Sequence, residues 1–316
     1  MDDSPSIASA ESCPRVAVLL CTFNGDDFLD AQLQSIERQV GPAWELFVSD
    51  DGSRDNTLDC VSAFRRRAGE GRVQITSGPG RGYVANFLSL LHSPTNADYL
   101  AFADQDDVWD ADKLQRAVSV LSRLPQERPA LYCSRTRLID EQGRPAGLSA
   151  RFTRPPGFAN ALVQNIAGGN TMVFNRAARE LLVAFGDVDV VSHDWWVYLV
   201  ISACGGEVIY DSQPSVGYRQ HRSNQIGSSL RLADRWGRFR LGLLGRKREW
   251  NDRNVAALNR QANLLTDDSR RILSEFCRAR KALLPGRLSG MRRAGVYAQS
   301  VPGNIGLFVA TILNIL

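Results

Sequence analysis

Paired cysteine motifs are absent from this sequence of 316 residues. Its six cysteines lie far apart and form neither a C-x-x-C pair nor a zinc-ligand spacing: Cys13, Cys21, Cys60, Cys133, Cys204 and Cys277. This distribution argues against a disulfide framework and against a structural zinc site. It predicts a reduced protein of the cytoplasm.

Long apolar runs, internal repeats and low-complexity blocks are also missing. The first 14 residues, MDDSPSIASAESCP, are acidic and polar, with neither the basic nor the apolar region of a secretory signal, and they predict a loose arm. The apolar run after Asn304 has only about a dozen residues, whereas a spanning helix needs roughly 20. We therefore expect no membrane-spanning segment.

Acidic residues are scarce near the C-terminus. The net charge of the chain is only +4, yet residues 231–293 carry 17 Lys and Arg against 6 Asp and Glu. In residues 231–250 arginines alternate with Trp236, Phe239 and other apolar side chains, a pattern typical of an amphipathic helix at a membrane interface. The segment favours contact with anionic lipid over nucleic acid. The alternative is a helical appendage that packs on the body or forms a homodimer interface.

From Arg15 onward, short β-rich apolar runs alternate with helical periodicity. The runs RVAVLLCTF, WELFVSD, RVQITS and ADYLAFAD predict four strands, and the segments between them predict helices. This order predicts an α/β fold with a mostly parallel central sheet and helices on both faces. We divide the chain into an arm (1–14), an α/β domain (15–230) and a basic helical segment (231–316).

Polar clusters follow three of the predicted strands. They are TFNG at 22–25, DDGS at 50–53 and DQDD at 104–107. The carboxyl ends of parallel strands meet at one edge of a sheet, which is where such folds bind ligands. Adjacent carboxylates repel one another unless a cation offsets their charge. A bound cation is therefore one explanation of the third cluster, and an acidic helix start is the alternative.

Six ordered motifs carry a family resemblance: CTFNG, SDDGSRDNT, ADQDDVW, IAGGNTMVFNR, SHDWWVYL and YRQHRSNQIG. Over roughly residues 15–228 the chain resembles family 2 glycosyltransferases, most closely the bacterial rhamnosyltransferase-like branch. The resemblance implies a GT-A fold, Mg2+ or Mn2+, a dTDP-rhamnose or UDP-hexose donor, and inverting transfer. It also implies a lipid-linked saccharide acceptor and cell-surface polysaccharide as the product, which would place the protein at the cytoplasmic face of the inner membrane.

The resemblance assigns donor-side roles to five residues. Thr22 and Asn24 would hold the base and ribose, and Asp104 would reach the ribose. Asp51 would accept a hydrogen bond from the pyrimidine N3–H, which suits uracil or thymine but not cytosine. Arg81 would lie near the base or the diphosphate, with an exposed loop arginine as the alternative.

The metal would be bound by Asp106 and His221 on the same resemblance. Asp107 is able to replace or assist Asp106, and the sequence does not separate the two. A structural role is the alternative for His221, because a lone histidine is more often structural.

On the same resemblance Asp194 would be the general base, because an inverting transfer needs a group that takes the proton of the acceptor hydroxyl. The alternative is an acidic residue in the first helical turn after Ser192. The family usually has Glu-Asp here, so His193 departs from the pattern and its role is open. Trp195 and Trp196 either stack on sugar faces or fill the core beneath the base. The AGGN segment is expected to form the acceptor-side loop, with Gly168, Gly169 and Asn170.

Two other classes of protein were weighed. A sugar nucleotidyltransferase would need a glycine-rich triphosphate loop with Arg or Lys, and CTFNGDDF is not one. A non-catalytic scaffold that binds nucleotide sugars would be favoured if Asp194 were absent. The sequence therefore favours a glycosyltransferase.

Overall fold

The computed structural model of this chain describes residues 13–221 and 247–316. Its strands are β1 (Arg15–Thr22), β2 (Ala43–Asp50), β3 (Val73–Ser77), β4 (Tyr99–Ala103), β5 (Val108–Trp109), β6 (Ala130–Ile139), β7 (Pro145–Leu148), β8 (Val173–Asn175) and β9 (Glu207–Arg219). Its helices are α1 (Asp26–Glu37), α2 (Thr57–Ala68), α3 (Tyr83–Leu90), α4 (Lys113–Leu121), α5 (Phe158–Ala161), α6 (Arg176–Ala184), α7 (His193–Ala203), α8 (Lys247–Asn259), α9 (Asp267–Lys281), α10 (Leu284–Ala294) and α11 (Val301–Leu313).

One sheet contains all the strands of the described residues. Its order is β3-β2-β1-β4-β8-β6-β9-β5, with β7 added beside β6. The ladders among β3, β2, β1 and β4 are parallel, as is the long β6–β9 ladder. The shorter ladders that involve β5, β7 and β8 are antiparallel. The predicted α/β fold with a mostly parallel sheet is confirmed.

Strand β1 shows why helices cover both faces. Its residues alternate between two hydrophobic clusters, because successive side chains of a strand point to opposite faces. Ala17 and Leu19 belong to the cluster that includes α3, α6 and α7. Val18 and Leu20 belong to the cluster that includes α1, α2 and α4. Both faces of this central strand are therefore buried, which accounts for its continuous apolar sequence.

The C-terminal helices pack on the body of the protein. Leu258, Phe276 and Met291 belong to the same buried cluster as Trp196 of α7. No helix within residues 13–221 and 247–316 is long and apolar enough to cross a membrane. The predicted arm (except residues 13 and 14), the boundary at 230/231 and the amphipathic stretch up to residue 246 lie outside the described residues.

Strand β9 is long and irregular. It runs without interruption over Glu207–Arg219. Its register against β6 shifts between Ser134 and Thr136, and its second half also pairs with β5. The end of the strand lies beside the acidic motif after β4, where Arg219 N donates to Asp107 Oδ1 and His221 Nε2 lies 2.7 Å from Asp106 Oδ2.

Candidate active site

A cavity of about 980 Å³ opens at the carboxyl ends of β1 and β4. Its size suits a ligand as large as a nucleotide sugar. Ten of the thirteen predicted site residues line it: Thr22, Asn24, Asp51, Asp104, Asp106, Gly168, Gly169, Asn170, Asp194 and His221. The expected convergence of the strand ends is therefore present in the structure.

Asp50 organises the ends of β1 and β2. Its carboxylate accepts hydrogen bonds from Thr22 Oγ1 (2.8 Å), Ser53 Oγ (2.5 Å) and Ser53 N (2.8 Å). It also accepts one from Gly52 N (3.1 Å). Asp50 was not among the predicted site residues, although an Asp at a strand end followed by Gly and Ser is typical of such a side-chain turn.

Asp51 holds a glycine loop over the same part of the cavity. Its two carboxylate oxygens accept hydrogen bonds from Gly80 N (2.7 Å) and Gly82 N (2.8 Å). Both glycines have positive φ, +66° and +85°, which side chains other than glycine rarely adopt. A carboxylate has about four acceptor positions, so Asp51 keeps acceptor capacity toward the cavity that it lines.

Reciprocal hydrogen bonds join the loop after β1 to its neighbours. Gln105 Nε2 donates to Phe23 O (3.0 Å), and Phe23 N donates to Gln105 Oε1 (2.8 Å). Asn24 has a positive φ of 45°, and its Oδ1 accepts from Arg54 N (2.8 Å). Asn24 therefore fixes the shape of the loop, and Gln105 is a further cavity residue that the sequence analysis missed.

The three carboxylates of the DQDD motif have different environments. Asp107 is fully buried and accepts hydrogen bonds from Asn170 Nδ2 (2.5 Å) and Arg219 N (3.1 Å). Asp104 and Asp106 line the cavity, and Asp107 does not. Burial and the negative charges of Asp106 and Asp194 raise the pKa of Asp104 to about 8. Asp107 thus links the acidic motif to the acceptor-side loop. Of the two adjacent carboxylates Asp106 and Asp107, Asp106 is the one that a ligand in the cavity would meet.

Asp106 and His221 form the part of the site suited to a cation. Asp106 Oδ2 lies 2.7 Å from His221 Nε2, and both side chains are partly exposed. The residues described in the structure contain no group of three or more His, Cys, Asp or Glu side chains arranged to hold a metal ion. A cation would need further oxygen ligands, such as phosphate and water, which is the usual mode of Mg2+ binding. The two side chains fit that mode.

Asp194 lies in the first turn of α7, on the wall of the cavity. It is partly exposed, and its Oδ1 accepts a hydrogen bond from Trp195 N (2.7 Å). Burial raises the pKa of Tyr83, and the negative charge of Asp194 adds to that rise and to the raised pKa of Asp104, so the three residues belong to one electrostatic cluster. A carboxylate in this position is able to accept a proton from a group bound in the cavity.

His193 precedes this carboxylate and is buried. Its ring stacks on Phe87 with a centroid distance of 3.9 Å, and burial lowers the pKa of His193 to about 4. Neither ring nitrogen has a hydrogen-bond partner in the described part of the chain. A Cβ atom at Gly169 would lie 2.5 Å from Nε2 of His193, so only glycine allows this approach. His193 is therefore neutral, and it packs against the acceptor-side loop at the wall of the cavity.

Three predicted site residues do not line the cavity. Trp195 Nε1 donates to Ala161 O (2.6 Å), and Trp196 is fully buried in the core. The core alternative therefore holds for both tryptophans, which corrects their assignment to the acceptor-facing wall. Arg81 is exposed and pairs with Asp187 at 3.4 Å. Arg81 lies between two glycines of positive φ, and it is not among the residues that line the cavity.

Aromatic side chains supply much of the remaining wall, and the sequence analysis missed them. They come from separate segments and are Phe23, Phe28, Tyr83, Phe87, Phe152, Tyr210 and Tyr218. Phe28 lies 5.0 Å from His221 between ring centroids, and Phe152 lies 5.3 Å from Tyr210. No local pattern marks these residues, because their segments meet only in the folded sheet.

Comparisons with known proteins agree with this geometry. The model of the family described as "Glycosyl transferase family 2" matches residues 17–178. The dTDP-rhamnosyl transferase RfbG of Shigella flexneri is 28% identical over 263 residues, which cover 79% of this chain and 86% of the relative. The UDP-Glc:alpha-D-GlcNAc-diphosphoundecaprenol beta-1,3-glucosyltransferase WfgD of Escherichia coli is 27% identical over 106 residues, 34% of this chain and 40% of that one.

A solved structure shares the fold. The mannosyltransferase PcManGT from Pyrobaculum calidifontis, in complex with GDP-Man and Mn2+, superposes with a TM-score of 0.55 and 21% identity. The likeness covers 97% of this chain and 82% of that one. The predicted GT-A type of fold is confirmed by this likeness.

Proposed function

Because this chain belongs to glycosyltransferase family 2, we propose that it transfers a sugar from a dTDP- or UDP-activated donor to a hydroxyl of a lipid-linked saccharide, with inversion at the anomeric carbon. The product would be a cell-surface polysaccharide precursor. The similarity to a dTDP-rhamnosyl transferase over most of both chains supports dTDP-rhamnose as the first donor to test.

One observation carries the proposal. Asp104, Asp106 and Asp194 line one cavity, and the charges of Asp106 and Asp194 both act on Asp104. A donor diphosphate near Asp106 and an acceptor hydroxyl near Asp194 would thus lie within one cavity. On this proposal the leaving group would lie at the strand ends, and the base would lie at the start of α7.

The nucleoside would bind at the ends of β1 and β2. The Asp50 turn and the loop held by Asp51 form a rigid floor there, because their hydrogen bonds are made before a ligand binds. Asp51 would use its remaining acceptor positions for the N3–H of uracil or thymine. Asp104 would accept a hydrogen bond from a ribose hydroxyl.

Asp106 and His221 would hold Mg2+ or Mn2+ together with oxygens of the donor diphosphate. The bound cation would offset the negative charge that grows on the nucleotide diphosphate as the glycosidic bond breaks. His221 would first give up its hydrogen bond to Asp106.

Asp194 would act on the acceptor. Its carboxylate would take the proton of the attacking hydroxyl while the oxygen bonds to the anomeric carbon on the face opposite the diphosphate. The hydrogen bond from Trp195 N and the core packing of Trp195 hold the carboxylate in place. Gly168 and Gly169 would let the acceptor approach the backbone closely.

A donor panel tests this function. The purified chain is incubated with Mg2+ or Mn2+, bacterial lipid extract and one of dTDP-rhamnose, UDP-glucose or GDP-mannose, and released nucleotide is measured. We expect acceptor-dependent release from a dTDP or UDP donor and a matching mass increase in the glycolipid. Equal release from GDP-mannose, or none from any dTDP or UDP donor, would contradict the proposal.

A further inference from the structure

Helix α11 presents an apolar stripe to the surface. Val301, Ile305, Phe308 and Ile312 follow at spacings of four, three and four residues, which places them on one side of a helix. They are 75%, 60%, 55% and 39% exposed, whereas Ala310 of the same helix is buried. An exposed row of this kind marks an interaction surface rather than ordinary scattered apolar residues.

Two leucines extend the stripe. Leu283 is 85% exposed, and Leu284 beside it is also exposed. Arg287, one turn along α10, donates hydrogen bonds to the carbonyl oxygens of Thr311 (3.1 Å) and Ile312 (3.0 Å) at the end of α11. The start of α10 is thereby fixed beside the end of the stripe. We name these residues the apolar patch: Leu283, Leu284, Val301, Ile305, Phe308, Ile312 and Leu313.

The segment that carries the apolar patch is basic. Residues 281–316 contain Lys281, Arg287, Arg292 and Arg293 and no acidic residue. Arg293 pairs with Glu275, but Lys281 and Arg292 are exposed and pair with no carboxylate among the residues that the structure describes. Two copies of this surface would bring like charges together, whereas an anionic surface would neutralise them.

We propose that the apolar patch lies on an anionic lipid bilayer, with α11 in the plane of the interface. The 13 residues of α11 span about 20 Å, less than the roughly 30 Å of a hydrocarbon core. A short helix with one apolar side and neighbouring cations binds at the headgroup boundary, where apolar burial and electrostatic attraction add.

The position of the apolar patch relates it to the acceptor. Two hydrogen bonds of 2.8 Å join the segment between α10 and α11 to the residues that precede the acceptor-side loop. Asn160 Nδ2 donates to Tyr297 O, and Gln299 N donates to Gln164 Oε1. The bilayer would therefore meet the protein on the side of that loop. This orientation rests on the proposed function, because it matters only if the acceptor is lipid-linked.

Vesicle binding tests the proposal without an enzymatic assay. The full chain is sedimented with vesicles of equimolar phosphatidylglycerol and phosphatidylcholine, and with phosphatidylcholine alone. The apolar variant is Ile305→Ser with Phe308→Ser, and the charge variant is Lys281→Gln with Arg292→Gln. The control is Val40→Ser with Leu58→Ser, which changes two similarly exposed residues outside the apolar patch.

We expect wild type and the control to bind the anionic vesicles. The apolar variant should bind at least about tenfold more weakly, and the charge variant about fivefold more weakly for each charge removed. The proposal would be overturned if both variants bound the vesicles as tightly as wild type. It would also be overturned if no form bound vesicles and sedimentation velocity showed a wild-type dimer that is absent in the apolar variant. Nucleotide release with detergent-solubilised lipid extract as acceptor, and without vesicles, is measured in parallel, so that loss of the proposed function is seen separately.

Discussion

Replacing Asp194 with asparagine tests whether this side chain takes the acceptor proton. Asparagine keeps nearly the same size, and its Oδ1 is able to accept the hydrogen bond from Trp195 N that Asp194 accepts at 2.7 Å. It cannot accept the acceptor proton. The substitution therefore changes one chemical property of the cavity and leaves its shape nearly unchanged.

The two expected effects differ greatly in size. Loss of a negative charge from the first turn of α7 removes a helix-dipole interaction worth about 0.3–1 kcal/mol, so the free energy of unfolding should change little. Loss of a general base typically lowers turnover about 10²- to 10⁴-fold, which corresponds to roughly 3–5 kcal/mol in the barrier. Turnover should therefore fall while donor affinity stays near that of wild type.

The assay compares initial rates and donor affinity at matched folded fraction, judged by circular dichroism. Asp187→Asn is the control, because Asp187 lies outside the cavity and its exposed carboxylate forms a surface ion pair with Arg81. If Asp194→Asn keeps more than about a tenth of wild-type turnover, the loss is smaller than the weakest typical general-base effect. That result would refute the assignment. Glu207 is a poor alternative candidate for the general base, because it pairs with Arg128 and does not line the cavity.

Three further substitutions examine the rest of the site. Asp51→Ala removes the acceptor of two backbone N–H groups, those of Gly80 and Gly82. Calorimetry should show that dTDP or UDP binds about tenfold or more weakly, whereas turnover at saturating donor should change less. Unchanged nucleotide affinity would remove Asp51 from the site. Asp106→Ala should abolish transfer, and EDTA should do so reversibly in wild type; full activity in metal-free buffer would exclude the cation. Burial lowers the pKa of His193 from 6.5 to about 4, so the unfolded chain takes up the proton before the folded chain does. The free energy of unfolding should therefore fall by up to about 3 kcal/mol as the pH drops through that interval. His193→Asn should flatten this part of the urea-midpoint curve against pH, and an identical curve would show that other groups cause it.

The sequence was sufficient for the order of the first four strands and the helices between them, and for the polar residues at the strand ends. β1 is buried on both faces, so its apolar run is continuous, and the helices around it carry the periodicity of one buried side. These are local properties of the chain. The motifs at 22–25, 50–53 and 104–107 meet because parallel strands end at one edge of the sheet.

The tertiary structure decided which atoms face the cavity. Asp106 and Asp107 are adjacent and chemically equal in the sequence, but Asn170 and Arg219 bind Asp107 in the interior and leave Asp106 to His221. Those partners lie more than 60 residues away along the chain, so no local pattern contains them. Side-chain direction depends on such distant contacts, and for that reason only the folded chain separates a ligand-facing carboxylate from a buried one.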